Sequence, residues 1–122
     1  KKGKSRRTPR KKLLPVDSEQ EAAIAKQREI SREKNRIVIA DEILQTERSY
    51  VAGLTILLNS FLRPLRTKNI LTPASLRRIF SDIEVLFGFN CQFLNNLEAR
   101  MKDWASHGQR LGDIFLREVD YL

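Results

Sequence analysis

The chain has 122 residues, enough for one modest domain and too few for two, and carries a formal net charge of +8. That surplus sits at one end. Residues 1–16 hold eight basic residues and no acid, and residues 17–122 hold 15 of each sign. A folded part with no net charge excludes the simple inference of a nucleic-acid-binding module with a basic face. One cysteine, Cys91, cannot form an internal disulfide, which excludes a stapled secreted scaffold and fits a reducing compartment. With a single histidine, His107, there is no basis for a structural zinc site. Apolar runs such as Ile37–Ala40 fall far short of the roughly 20 residues that span a bilayer. The basic start lacks the apolar stretch of a signal peptide. The chain opens on Lys1 and its one methionine is Met101, so a piece cut from a longer protein is expected.

Residues 1–16 contain Gly3, Pro9 and Pro15 and almost nothing to bury. Such a segment cannot repay its ordering entropy, and disorder is expected. Its Arg6, Arg7, Arg10, Lys11 and Lys12 suit an anionic membrane, a nuclear import receptor or phosphate contact, against the plainer reading of a solvated linker. A cytoplasmic protein, membrane-associated or nuclear through this tail, is the corresponding expectation.

Asp17 or Ser18 then offers an N-cap, with Glu21 at capping-box spacing. From there to Arg63 only Gly53 breaks a run of good helix formers, and no proline occurs before Pro64. Residues 17–36 read as a polar helical extension. From Ile37 an apolar seam follows: Ile37, Ala40, Leu44, Val51, Leu54, Leu58, Phe61, Leu65. Its steps of three and four predict one buried face of a long helix. Position 47 belongs to that seam and is Glu47.

Residues 66–72 read as a connection, and Thr72-Pro73 as an N-cap followed by proline in the first turn. Leu76, Ile79 and Phe80 are expected to face inward. Ser81 and Glu84 have capping-box spacing in mid-pattern, which predicts a kink or restart. The stripe continues through Ile83, Leu86, Phe87, Phe93, Leu94, Leu97, Met101 and Trp104, interrupted by Asn90. Residues 105–112 read as a loop around His107. The stretch 113–122 is helical in pattern, with Ile114, Phe115, Val119 and Leu122 apolar and no terminal cap. No strand-period alternation occurs. The expected fold is all-α: an elongated bundle of long helices, truncated in its last helix.

Catalytic constellations are thin. No serine or cysteine stands at a useful spacing from His107, and Cys91 reads as a packing thiol. No phosphate-cradling glycine motif is present, and Asp41 and Glu42 diverge around a helix. No cofactor or metal is implied. Glu47 remains: a carboxylate on an apolar seam must be paired, reach solvent at the seam's edge, or meet a partner.

At 40–54, ADEILQTERSYVAGL, the sequence resembles the first conserved region of Dbl-homology domains, the exchange modules that act on Rho-family GTPases. The pattern is carried by Glu42-Ile43-Leu44, Thr46-Glu47, Tyr50-Val51 and Leu54. Phe61 to Leu65 is similar to the end of the family's first helix, and Ile79 to Ile83, Asn90, Phe93, Leu94, Leu97 and Glu98 to its second. Arg100 to Trp104 with Gly112, Asp113 and Ile114 resembles the faciogenital-dysplasia subgroup. The likeness covers roughly 37–122. It implies a guanine-nucleotide exchange factor for a Rho, Rac or Cdc-subclass GTPase, with no covalent chemistry. It gives Glu47 the task of holding switch I away from the nucleotide, with Ile43 and Tyr50 beside it.

A complete domain of this kind runs to about 200 residues. The resemblance therefore implies an incomplete domain that lacks its C-terminal GTPase-contacting helix and is inactive alone. Self-association is expected if missing helices leave Leu44, Leu54, Phe87 and Phe93 uncovered. Two other readings compete. One is a structural helical-bundle interaction module. The other is a basic-tailed nucleic-acid-binding helical protein, which Pro9 and Pro15 oppose by breaking the basic stretch.

Overall fold

The structure, a computed structural model, describes residues 17–104 and 110–119. The expected disorder of the basic tail, the loop placement of His107 and the apolar role of Leu122 lie outside the described residues. Among those described, the chain is helical with no strand: α1 (Ser18–Ile56), a π-helical turn (Leu57–Leu62), α2 (Arg63–Thr67), α3 (Pro73–Phe80), α4 (Ile83–Lys102) and α5 (Gly112–Val119). The all-α expectation is met. The chain divides into two units, 1–32 and 33–122. In the first, residues 18–32 are helical and exposed on every side, as their polar composition requires.

The second unit holds the core, in two clusters. One contains Leu54, Leu58, Leu62, Leu76 and Ile83, with Phe80 and Phe87 packed against it. The other contains Leu44, Phe93, Leu97 and Ile114, with Ile43 and Met101 against it. Ascending α1 passes from the second cluster to the first, whereas ascending α4 passes from the first to the second. The two helices therefore share both clusters in opposite directions.

Pro64 does not end the first helix. Proline has no N–H, and its ring presses on the carbonyl four residues back. A wider turn directly before it relieves the clash: the N–H of Arg63 donates to the carbonyl oxygen of Leu58, five residues back. This turn also moves the seam. Leu62 is buried in line with Leu54 and Leu58, and Phe61 is 53% exposed, correcting its inward assignment. The seam starts at Ala40, with Ile37 largely exposed.

The restart at Ser81 is present, but not as a capping box. Ser81 adopts φ 47° at the end of α3, and α4 begins after Asp82 with no side-chain cap. Glu84 is engaged elsewhere, bidentate to Arg66 at 2.9 and 3.0 Å. At Thr72 the expected cap forms, its hydroxyl oxygen accepting from the Ser75 N–H at 3.2 Å. α3 and α5 each turn an i, i+4 pair inward, buried Leu76 with half-buried Phe80 and buried Ile114 with buried Glu118. That leaves Ile79 (62% exposed) and Val119 on the outside, and Leu86 lies likewise off the Ile83–Phe87 face. The proposed uncovered set is also corrected: Leu44, Leu54 and Phe93 are buried within the chain's own clusters, and Phe87 is half-buried.

Leu97 is fully enclosed between helices. Leu97→Ala is expected to lower unfolding free energy by about 2–5 kcal/mol, whereas Ile79→Ala changes it by no more than about 0.5 kcal/mol. Urea denaturation of both variants checks the pair.

Candidate functional site

Ile43, Glu47 and Tyr50 follow one another at i, i+4 and i+7, so α1 carries them as a single stripe. Ile43 is half-buried against the second cluster, Glu47 is half-buried, and Tyr50 is 48% exposed. The stripe thus grades from core to solvent over two turns. Glu47 falls on α1 after Leu44 of one cluster and before Leu54 of the other, where the apolar seam is interrupted.

The Glu47 carboxyl is the unusual group. Its Oε1 is enclosed and has no hydrogen-bond partner. Burial pushes its pKa above the ordinary carboxylate value, because the charged form loses hydration without gaining donors. The group stands half-buried at the edge of the seam with one of its oxygens enclosed, and among the described residues it has no ion pair, since the adjacent Arg48 is taken by Glu98 on α4 at 2.8 Å. The neighbouring hydroxyls are also satisfied by the helix. Thr46 Oγ1 donates to the Ile43 carbonyl at 2.8 Å and Ser49 Oγ to the Gln45 carbonyl at 3.0 Å. Glu47 Oε1 is therefore an enclosed acceptor with unused capacity. A partner's donor can draw it outward at little cost, because the enclosed oxygen gives up no hydrogen bond.

α4 and α5 form a fixed backing. Arg100 on α4 grips Asp113 on α5 through two bonds of 2.7 and 2.8 Å and also donates to the Arg110 carbonyl. The Arg100 guanidinium is the main reason the Asp113 carboxyl is pulled down to about 2, with Arg117 adding to it. Asn96 donates to Glu118 at 3.3 Å, and Glu118 is only 9% exposed. Sequence reasoning missed both contacts. Nothing in the spacing of Arg100 and Asp113 announces a pair across a turn. Glu118 could have been found as the i+4 partner of Ile114 on a short helix. Asn90, the interruption of the α4 stripe, turns its amide back to the Leu86 carbonyl at 2.8 Å. Among the described residues no group of three His, Cys, Asp or Glu side chains could hold a metal ion, and no helix is long and apolar enough to cross a membrane.

The two shifted carboxyls pull stability in opposite directions with pH. Asp113 titrates below its unfolded value, so its pair stabilises the fold above about pH 4 and is lost as pH falls toward 2. Glu47 titrates above its unfolded value, so its ionisation opposes folding at neutral pH and ceases to do so as pH falls below about 4.5. Asp113→Asn is expected to lower the melting temperature at pH 7 and leave it unchanged near pH 2. Glu47→Gln is expected to match or exceed the parent at pH 7. Melts of both variants across that range test the assignment.

Comparison with known proteins now adds the family. The sequence model described as the RhoGEF domain matches residues 39–122. Myosin-M heavy chain of Dictyostelium discoideum is 40% identical over 93 residues, covering 74% of this chain and 5% of that protein. Guanine exchange factor for Rac 30 of the same organism is 38% identical over 84 residues, covering 69% and 5%. Its kinase and exchange factor for Rac B is 32% identical over 94 residues, covering 72% and 8%. The chain thus spans under a tenth of the length of these relatives, and they do not single out the faciogenital-dysplasia subgroup. No solved structure shows significant similarity.

Proposed function

The chain belongs to the RhoGEF domain family, and we propose that it serves guanine-nucleotide exchange on a Rho-family GTPase, with the Ile43–Glu47–Tyr50 stripe as its switch I contact. The observation that carries this reading is the half-buried Glu47 carboxyl, whose enclosed oxygen has no donor. Two relatives are named as exchange factors for Rac, which makes a Rac-class GTPase the first substrate to try.

The mechanism is conformational. Donors on switch I, a tyrosine hydroxyl or backbone N–H groups, bond to the Glu47 carboxylate, and the apolar Ile43 and the Tyr50 ring line the approach. Each such bond is charge-assisted and forms only when switch I has left the geometry that closes over Mg²⁺ and nucleotide. The interaction therefore favours the open, nucleotide-free state, and a ligand shifts an equilibrium only by that difference in affinity. No bond in the nucleotide is made or broken. Exchange also requires remodelling of switch II, for which the stripe offers no group. We therefore expect residues 1–122 alone to exchange far more slowly than a longer protein containing them.

Release of a fluorescent nucleotide from Rac, Rho and Cdc-class GTPases tests the reading in that longer protein. Glu47→Ala removes a charged acceptor whose bond contributes about 1.5–3 kcal/mol. If the loss falls wholly on the transition state, exchange slows roughly 10- to 150-fold, while the melting temperature does not fall. Undiminished exchange contradicts the role of Glu47. Equal exchange by residues 1–122 contradicts the requirement for more chain.

A further inference from the structure

We propose that the corner joining α2 to α3 is a docking surface for an anionic lipid bilayer. Residues 63–81 contain Arg63, Arg66, Lys68, Arg77 and Arg78 and no acidic residue, a local excess inside a region whose overall charge is balanced. Glu84 occupies Arg66 at 2.9 Å and feels the field of Arg63. Lys68, Arg77 and Arg78 have no carboxylate partner among the described residues.

The corner also presents an aliphatic side chain where a soluble turn would place a polar one. The turn after α2 is closed by Asn69 at φ 50°, and Ile70 follows it, 60% exposed. The N–H of Ile70 is bonded back to the Leu65 carbonyl at 3.3 Å, so the residue is held at the tip rather than left to collapse inward. Beside it lies a half-open recess of about 440 Å³ lined by Leu71, Leu76 and Phe80 and by the charged Arg77, Asp82 and the Arg66–Glu84 pair.

Three cations without a carboxylate partner among the described residues, on the same corner as an exposed isoleucine, match a bilayer interface. The bases meet anionic headgroups, and the isoleucine enters the boundary between headgroup and acyl chain. An acidic protein surface would satisfy the charges and leave the exposed Ile70 unexplained. Each base near an anionic membrane strengthens binding roughly fivefold at physiological salt. The corner is separate in sequence from the tail of residues 1–16, whose bases add to any membrane affinity, so the test compares variants within the full chain.

Co-sedimentation of the 122-residue chain with phosphatidylcholine vesicles, with and without 30% phosphatidylserine, tests this. Partition onto the serine-containing vesicles is expected, and little onto the neutral ones. Lys68→Glu with Arg77→Glu and Arg78→Glu is expected to weaken it by at least about tenfold. Ile70→Ser alone, with charge unchanged, is expected to weaken it about three- to tenfold. All four positions are exposed, and circular dichroism confirms that the variants stay helical. Partition that is unchanged in both variants assigns binding to the tail and overturns the proposal. So does a loss on charge reversal with none for Ile70→Ser, particularly if soluble polyglutamate displaces the chain, since that is the behaviour of an acidic protein partner.

Discussion

The burial of one face of α1 against α4 is the constraint on which the remaining features depend. From Leu44 to Leu62 the first helix gives up Leu44, Leu54, Leu58 and Leu62 to two clusters, and α4 completes both. Complete burial of each such side chain is worth about 1.5–3 kcal/mol. That is enough to override Pro64, which would otherwise stop the helix. The π-helical turn keeps Leu54, Leu58 and Leu62 on one line through it. The same constraint fixes Glu47. Leu44 and Leu54 set the rotation of α1, and the side chain between them has no freedom to choose another face.

A carboxylate held there destabilises the free protein slightly, and the role proposed for Glu47 draws on that. Its enclosed oxygen lacks a donor, so a partner that supplies one gains most of the bond's value without displacing an existing contact. The rest of the stripe asks little of the fold: Ile43 packs inward and Tyr50 stands in solvent. Rigidity comes from behind, where Arg48 is tied to Glu98 and Arg100 to Asp113. A site on a helix fixed in this way presents its acceptor in one place, which suits stabilisation of a single conformation of a mobile loop.

Much of this was legible in the sequence because helical periodicity reports burial directly. The seam from Ala40 to Leu58, the cap at Thr72 and the oddity of Glu47 could all be read from spacing. The errors share one origin. Periodicity assumes a uniform turn, and it failed where the turn changes: at the π-helical segment, where Leu62 replaces Phe61, and at Ser81, where α3 ends after two turns and Ile79 swings outward. Contacts between helices were not legible. Glu84 has capping-box spacing to Ser81 and is drawn instead to Arg66, 18 residues earlier, because a bidentate pair outweighs a cap. That Glu47 lacks a donor is likewise a fact of three dimensions, since a sequence marks the position of a carboxylate but not what surrounds its oxygens.

The central claim is that Glu47 is an acceptor awaiting a donor from a GTPase. A carbon-detected NMR titration of the Glu47 carboxyl, in the free protein and with a nucleotide-free Rac-class GTPase bound, tests it most directly. The account predicts titration above the ordinary carboxylate range when free, and a fall below that range in the complex as donors stabilise the charge. An ordinary midpoint in the free protein, or one that does not move when the GTPase binds, would contradict it.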